Sequence, residues 1–355
     1  MVWQNIIIQG DCLRAIENLT PEYHGKIKLI YIDPPFFSGT DYSLKKRYDE
    51  SSSNDSPEIE DIKTYSDKWE GGLEEYLKFM RERLELMPEL LTEDGSIWIH
   101  LDFHVAHYIK TILDEIMGYH NFVNQIIWKR TNSPKIQSKG FGSQHDIILL
   151  YAKDSSNFRT NLVYREHDER ALKPYSYKDE RGRFRLIEIE AQGIQRTEGR
   201  KRYEWRGRTA PYLYKREKLD AWWEQGLIYE SRNNRYSKKQ YLADVPGIPV
   251  SDLWLDIPPL QGSSKEYLGF ITQKPEALLE RIIHAATIKN DIVADFFAGS
   301  GTTAAVAEKT GRKWIACDWS EISIDLIQKR LEQIWKKWPK GKEPIKANLV
   351  KVDNS

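Results

Sequence analysis

The sequence predicts an α/β protein built around a mostly parallel sheet, and three observations carry that prediction. Short apolar runs of strand length alternate with amphipathic runs of helix length. The alternation occupies both ends of the chain and lapses in the middle. With 355 residues and 40% hydrophobic content, the chain can bury one large core and still carry a smaller module.

In chain order, 6–9 (IIIQ) is a β-branched apolar run suited to a buried strand, and 12–19 places Cys12, Ala15, Ile16 and Leu19 at helical spacing. A second strand is expected over 28–32 and a helix over 73–91, where Tyr76, Met80, Leu84 and Met87 share one face. Strand 96–101 is followed by helix 105–117, with Val105, Ile109, Ile112 and Leu113 as its apolar stripe. Runs 122–128 and 145–151 read as strands. Beyond the middle come helix 275–287, strand 292–296, helix 302–310, strand 314–318 and helix 323–335. Strands alternating with helices of these lengths imply βαβ units, with sites at the carboxyl ends of strands. No repeat of solenoid or propeller period is present.

From 154 to 264 the alternation gives way to charged, aromatic and proline-bearing sequence, so the chain divides into 1–153, an inserted module at 154–264, and 265–355. The stretch 51–60 (SSSNDSPEIE) is nearly free of apolar residues and reads as part of a mobile loop. Formal net charge is zero, which by itself argues against a polyanionic partner, but the charge is unevenly spread. Between Arg159 and Lys218 there are 17 Lys/Arg against 10 Asp/Glu, interleaved with Tyr164, Tyr175, Tyr177, Phe184, Tyr203, Trp205, Tyr212 and Tyr214. Two distant cysteines, Cys12 and Cys317, support neither a disulfide scaffold nor a zinc site. The opening MVWQNIIIQGD is too short and lacks the basic leader for a signal or span, so a cytoplasmic protein away from membranes is expected.

Two stretches carry chemistry. In 292–303 (IVADFFAGSGTT) a strand ends in a glycine-rich turn that opens a helix. Gly299 and Gly301 remove side chains where a ligand approaches backbone, and the helix start offers unpaired N–H groups to a carboxylate. Twenty-three residues after Asp295 a second strand ends in Asp318, placed to accept from two ribose hydroxyls. A nucleoside carrying an amino-acid tail satisfies both ends. The spacing Gly299-Ser-Gly-Thr-Thr-Ala304 leaves a dinucleotide open, since alanine is tolerated at the third glycine. The other stretch, 29–36 (LIYIDPPF), is a buried strand ending in Asp33, Pro34, Pro35 and Phe36. The prolines fix φ and lack N–H donors, so the Asp33 carboxylate and the Pro34 carbonyl can face one point as acceptors. Two acceptors beside an aromatic face suit a planar base bearing an NH₂ group.

This pairing of DPPF with a later FAGSGTT resembles the β-group of S-adenosylmethionine-dependent DNA amino-methyltransferases, the modification methylases of restriction–modification systems. Further stretches match: 9–13 (QGDCL) resembles the turn along the cofactor's adenine, 94–100 (DGSIWIH) a core strand, 272–281 (TQKPEALLER) the helix start before the cofactor strand, and 311–318 (GRKWIACD) the second cofactor strand. The sequence departs at 268–271 (LGFI), where a proline is common before Thr272, and at Trp319, where an aliphatic residue is common. Trp319 is open to two readings, stacking on the cofactor adenine or packing beneath the sheet.

The resemblance implies a seven-stranded Rossmann-like sheet, circularly permuted so that the cofactor strands come last, with an inserted target-recognition module. It implies S-adenosylmethionine as cofactor, with no metal, and contacts from Asp11, Cys12, Asp33, Lys274, Asp295, Phe297, Gly299, Ser300, Gly301, Thr302, Thr303, Asp318 and Trp319. Asp33, Pro34, Pro35 and Phe36 are the expected catalytic set, with loop 38–66 closing over an extruded base. Double-stranded DNA, a homodimer and a cognate restriction endonuclease are the implied partners. In this resemblance a leading Asp goes with adenine N6 and a leading Ser with cytosine N4, so adenine is favoured. Arg196, Arg200, Lys201, Arg202, Arg206 and Arg208, crowded into thirteen residues, are the candidate phosphate contacts. The competing readings are a cytosine-N4 methyltransferase, a DNA-reading subunit of a restriction–modification complex, and a NAD-dependent oxidoreductase.

Overall fold

The computed structural model describes residues 3–48, 58–133, 140–192, 202–233, 235–338 and 347–352. It divides into two compact units, Met1–Val163 together with Ser251–Ser355, and Tyr164–Val250.

The first unit is a nine-stranded sheet in the order Leu253–Trp254, Phe122–Lys129, His145–Ala152, Leu91–Leu101, Ile27–Ile32, Ile292–Asp295, Lys313–Asp318, Asn5–Gln9, Ala347–Lys351. All neighbours are parallel except His145–Ala152, which runs antiparallel to both of its own. All seven expected strands lie in it. The expected count of seven becomes nine because two further strands pair along the edges: Leu253–Trp254 is too short to show a period, and the largely exposed Ala347–Lys351 lacks the apolar run that marks the others. Central strands are buried on both faces, as parallel sheets covered by helices must be. Ile30, Ile99, Leu101, Met80, Leu84 and Ile109 are fully buried in one continuous core.

Helices Cys12–Tyr23, Gly72–Leu90, Ala106–Leu113, Glu276–Ala286, Thr302–Lys309 and Glu321–Lys336 follow the apolar stripes. Helix 105–117 is shorter than its stripe, ending at Leu113 and passing into a wide π turn over Asp114–Gly118. The expected loop 38–66 is only partly a loop: Asp41–Tyr48 and Glu58–Ser66 pair as an antiparallel ribbon, while 49–57 lie outside the described residues. Among the described residues no helix is long and apolar enough to cross a membrane.

From Ile27–Ile32 the chain crosses to Leu91–Leu101 on one side, whereas from Ile292–Asp295 it crosses to Lys313–Asp318 on the other. Those two starting strands are neighbours, so their carboxyl ends mark the point where the winding reverses and a crevice opens.

The second unit has a four-stranded antiparallel sheet in the order Ile228–Glu230, Tyr236–Tyr241, Gly182–Glu188, Tyr177–Asp179, and two short antiparallel pairs, Tyr203–Trp205 with Arg208–Ala210 and Tyr164–Arg165 with Ile248–Pro249. Ile189, Trp205, Ala210, Tyr212, Leu219 and Tyr236 form its core. Its limits fall inside 154–264 because the flanks are tied to the large sheet. Asn161 donates to the His284 and Thr287 carbonyls, and Trp254 pairs with Trp128.

Candidate active site

Asp33, Asp295 and Asp318 end or follow adjacent strands of the first unit, and all three line one cavity of about 970 Å³ at the reversal of winding. On one side lies the glycine turn. Gly299 adopts φ +50°, a left-handed conformation that a side chain disfavours, and an added Cβ would sit 3.4 Å from the Phe270 ring. Gly299 N–H donates to Asp318 Oδ2 at 2.8 Å and Ser320 N–H to Oδ1 at 3.0 Å. Burial pushes the Asp318 carboxyl up to about 6 despite these bonds. Asp295 accepts from Phe297 N–H and the Thr303 hydroxyl, yet burial, with the charges of Asp33 and Asp318 adding, raises it to about 7.

Asp11, Cys12, Lys274, Phe297, Ser300, Thr302, Thr303 and Trp319 line the same cavity, as do Pro34, Pro35 and Phe36. Gly301 does not. It faces the Glu321–Lys336 helix instead, where an added Cβ would meet Ile327 Cγ1 at 2.7 Å, so this glycine serves close helix packing. Ser300, Thr302 and Thr303 are almost fully buried, and their hydroxyls take part in internal bonds to one another, Arg330, the Lys274 carbonyl and Asp295. Trp319 is 59% exposed, which excludes packing beneath the sheet. Asp11 caps the Cys12–Tyr23 helix by accepting from Leu13 and Arg14 N–H, and Arg83 donates to both Asp11 and the Cys12 sulfur. Burial drives the Cys12 thiol up to about 12, so it stays protonated.

On the other side, Asp33 Oδ2 accepts from Lys274 Nζ, while Oδ1 is buried without a hydrogen-bond partner among the described residues. The sequence places Lys274 beside the cofactor; its ammonium is paired with the first residue of DPPF. The Phe36 ring stacks on His100 at 6.1 Å and 25°. His100, fully buried, contacts Tyr31 Oη at 3.0 Å through Nδ1 and Asp146 Oδ2 at 3.1 Å through Nε2. Burial opposes ionisation of Asp146, but the His100 hydrogen bond and the charges of His100, Lys274 and Arg130 hold its carboxyl below the usual range. Tyr42, Thr64, Tyr65 and Ser66 of the ribbon complete this side.

Sequence reasoning missed Asp67, His100, Asp146 and Arg83. His100 and Asp146 border apolar runs, whereas Asp67 and Arg83 sit among other polar residues, and only burial with partners far along the chain distinguishes them. Among the described residues no group of three His, Cys, Asp or Glu is placed to share a metal ion.

In the second unit, four of the eight aromatic residues expected to interleave with basic ones on a binding face, Tyr175, Phe184, Trp205 and Tyr212, are buried, while Tyr164 and Tyr177 are exposed. A unit this small needs large side chains to fill its interior. Arg208 is held by Glu190 in a two-point ion pair at 2.6 and 2.8 Å, which occupies the fork expected to meet phosphate. Arg206 lies over the Trp223 ring at 3.9 Å, and Arg202 donates to the Thr209 carbonyl. Arg196, Arg200 and Lys201 lie outside the described residues.

The sequence model of the DNA methylase family matches residues 27–329. The chain is 31% identical over 334 residues to the type II methyltransferase M.EcaI of Enterobacter cloacae, covering 93% of this chain and 70% of that protein. It is 30% identical over 346 residues to the type III restriction–modification enzyme StyLTI Mod subunit of Salmonella typhimurium, covering 88% of this chain but only 52% of the Mod subunit. Among solved structures, a DNA modification methylase of Thermus thermophilus, TTHA0409, superposes with a TM-score of 0.50 at 14% identity, covering 98% of this chain and 100% of that one, a likeness of fold.

Proposed function

The chain belongs to the N6/N4 DNA methylase family, and from that premise we propose that it is a site-specific DNA methyltransferase acting on adenine N6, with S-adenosylmethionine as methyl donor. One observation carries the reading: a buried carboxylate oxygen without a partner among the described residues, Asp33 Oδ1, lines the cavity beside Phe36, and the same cavity reaches the glycine turn and Asp318.

The residues present fit the cofactor. Asp318 offers a half-buried acceptor to vicinal ribose hydroxyls, and Gly299 keeps the turn clear of a side chain. A cationic ligand in the cavity would favour the ionised form of Asp295, whose carboxyl burial raises to about 7. When bound, S-adenosylmethionine supplies a methyl group on a positively charged sulfur. An adenine in a duplex must leave the stack to reach it, at a cost of a few kcal/mol. Phe36, backed by His100, offers the flat surface for the extruded ring. Asp33 Oδ1 accepts from the amino group while Lys274 holds Oδ2, and this bond aligns the nitrogen lone pair as its charge develops. The leading Asp of DPPF, in the family pattern, supports adenine over cytosine.

The second unit, with Arg202 and Arg206 among its basic residues, is the proposed target reader, and the ribbon Asp41–Tyr48 with Glu58–Ser66, within the expected loop 38–66, the proposed cover. Similarity to modification enzymes of types II and III supports a restriction endonuclease as partner. The test is to incubate duplex DNA with the protein and labelled S-adenosylmethionine, digest to nucleosides, and map the modified positions by methylation-sensitive sequencing. N6-methyladenine in one sequence context is expected. Label in N4-methylcytosine overturns the adenine assignment, and no label at all leaves a DNA-reading subunit as the better reading.

A further inference from the structure

Asp67 follows the Glu58–Ser66 strand and is 1% exposed. Its carboxylate accepts five hydrogen bonds. Oδ1 takes Phe37 N–H at 3.0 Å and Trp69 Nε1 at 3.0 Å; Oδ2 takes Phe36 N–H at 3.1 Å, Ser38 N–H at 2.7 Å and the Ser38 hydroxyl at 2.7 Å. Three consecutive backbone N–H groups pointing at one anion form a nest. That convergence goes with φ +58° at Phe37, a left-handed conformation rare for a bulky residue. The turn directly after Asp33-Pro-Pro is therefore held in a shape its own sequence disfavours. Asp67 also closes the ribbon, its N–H donating to the Thr40 carbonyl and its carbonyl accepting from Gly39 N–H. One residue thus joins the turn that presents Phe36 to the ribbon whose Tyr42, Thr64, Tyr65 and Ser66 line the cavity.

We propose that Asp67 is a positioning residue for methyl transfer, fixing the 33–38 turn in its reactive shape and setting the ribbon against it. The inference rests on the methyltransferase reading above. None of the five donors belongs to the glycine turn or to Asp318, so removing the clamp disturbs alignment of the target base and leaves the cofactor's side in place.

The test uses the full chain carrying Asp67→Asn, which keeps the side chain's size but turns an NH₂ toward N–H donors. The single-turnover rate at saturating cofactor and DNA should fall at least about tenfold, toward the ~100-fold loss typical of an ångström-scale misplacement. Calorimetric affinity for S-adenosylmethionine should stay within about twofold of wild type, well inside one factor of ten. Phe37→Gly supplies the readout that a merely structural role would not move. Glycine adopts φ +58° freely, so Asp67→Asn should cost less rate in the Phe37→Gly background than in wild type. Should Asp67→Asn fail to fold, Ser38→Ala and Trp69→Phe, each removing part of the clamp, carry the same comparison.

Unchanged transfer by Asp67→Asn overturns the proposal. So does an equal cost in both backgrounds, or a loss of cofactor affinity in step with the loss of rate. A wild-type protein that transfers no methyl to DNA overturns instead the reading on which the proposal rests, so the two failures are told apart by the control.

Discussion

Asp33→Ala, made with and without Lys274→Ala, separates chemistry from stability because the structure divides the carboxylate between two tasks. Oδ1 is the acceptor proposed for the substrate's amino group, and Oδ2 balances Lys274 inside the cavity, the Asp33 and Lys274 side chains being 17% and 12% exposed. Loss of a hydrogen bond strengthened in the transition state costs roughly 2.7–4 kcal/mol, or about 10²–10³ in rate. Removing the carboxylate also strands a largely buried ammonium, and breaking such a pair from one side costs roughly 3–5 kcal/mol of stability. Asp33→Ala should therefore lower both transfer and melting temperature, whereas Asp33→Ala/Lys274→Ala should regain much of the stability and none of the transfer. The assay is single-turnover transfer of labelled methyl to duplex DNA, alongside thermal unfolding of each variant. Near-normal transfer by folded Asp33→Ala would refute the mechanism. A double variant no more stable than the single one would refute the account of Lys274.

Gly299→Val forces a β-branched residue into φ +50° and should abolish measurable cofactor binding in calorimetry while the protein stays folded. Asp318→Ala should weaken cofactor affinity by roughly 1.5–3 kcal/mol, about ten- to a hundredfold, and undiminished affinity would remove Asp318 from the site. Because burial raises the Asp318 carboxyl to about 6, it loses acceptor capacity as pH falls through that value; cofactor affinity should drop between about pH 7 and 5, and a flat profile contradicts this. For stability without ligand the sign is reversed. Asp318 and Asp295, both raised, contribute stability that is present below the ordinary carboxyl range and lost as pH rises through about 6 and about 7 respectively. For DNA, Arg202→Ala and Arg206→Ala should each lower the salt dependence of duplex binding by roughly one unit of slope, while Arg208→Ala should leave the slope unchanged and lower the melting temperature by stranding Glu190.

The parts of the site legible in the sequence are those where backbone chemistry leaves a local mark. Prolines after Asp33 restrict φ and glycines around Ser300 free it, whatever surrounds them, so DPPF and FAGSGTT announce a strand end and a turn. Trp319 and Lys274 were legible as positions and not as roles: whether an indole packs or faces a cavity, and which carboxylate an ammonium meets, depend on neighbours 241 residues away for Lys274 and Asp33. The basic cluster shows the opposite error. Arg208 resembles its neighbours in sequence, yet Glu190 neutralises it across the short strand pair.

The sequence by itself determined the sheet and its helices, because hydrophobic period is a property of each segment alone and burial follows from it. It determined as well that an acid-bearing strand end and a glycine turn belong to one family of chemistry. Only the tertiary structure decided that Asp33 presents one oxygen and shares the other with Lys274, that Asp67 holds Phe37 in a left-handed turn, and that His100 stands behind Phe36. Those are contacts between segments far apart in the chain. Their free energies depend on distance and on exclusion of water, and neither exists until the crevice between Ile27–Ile32 and Ile292–Asp295 has formed.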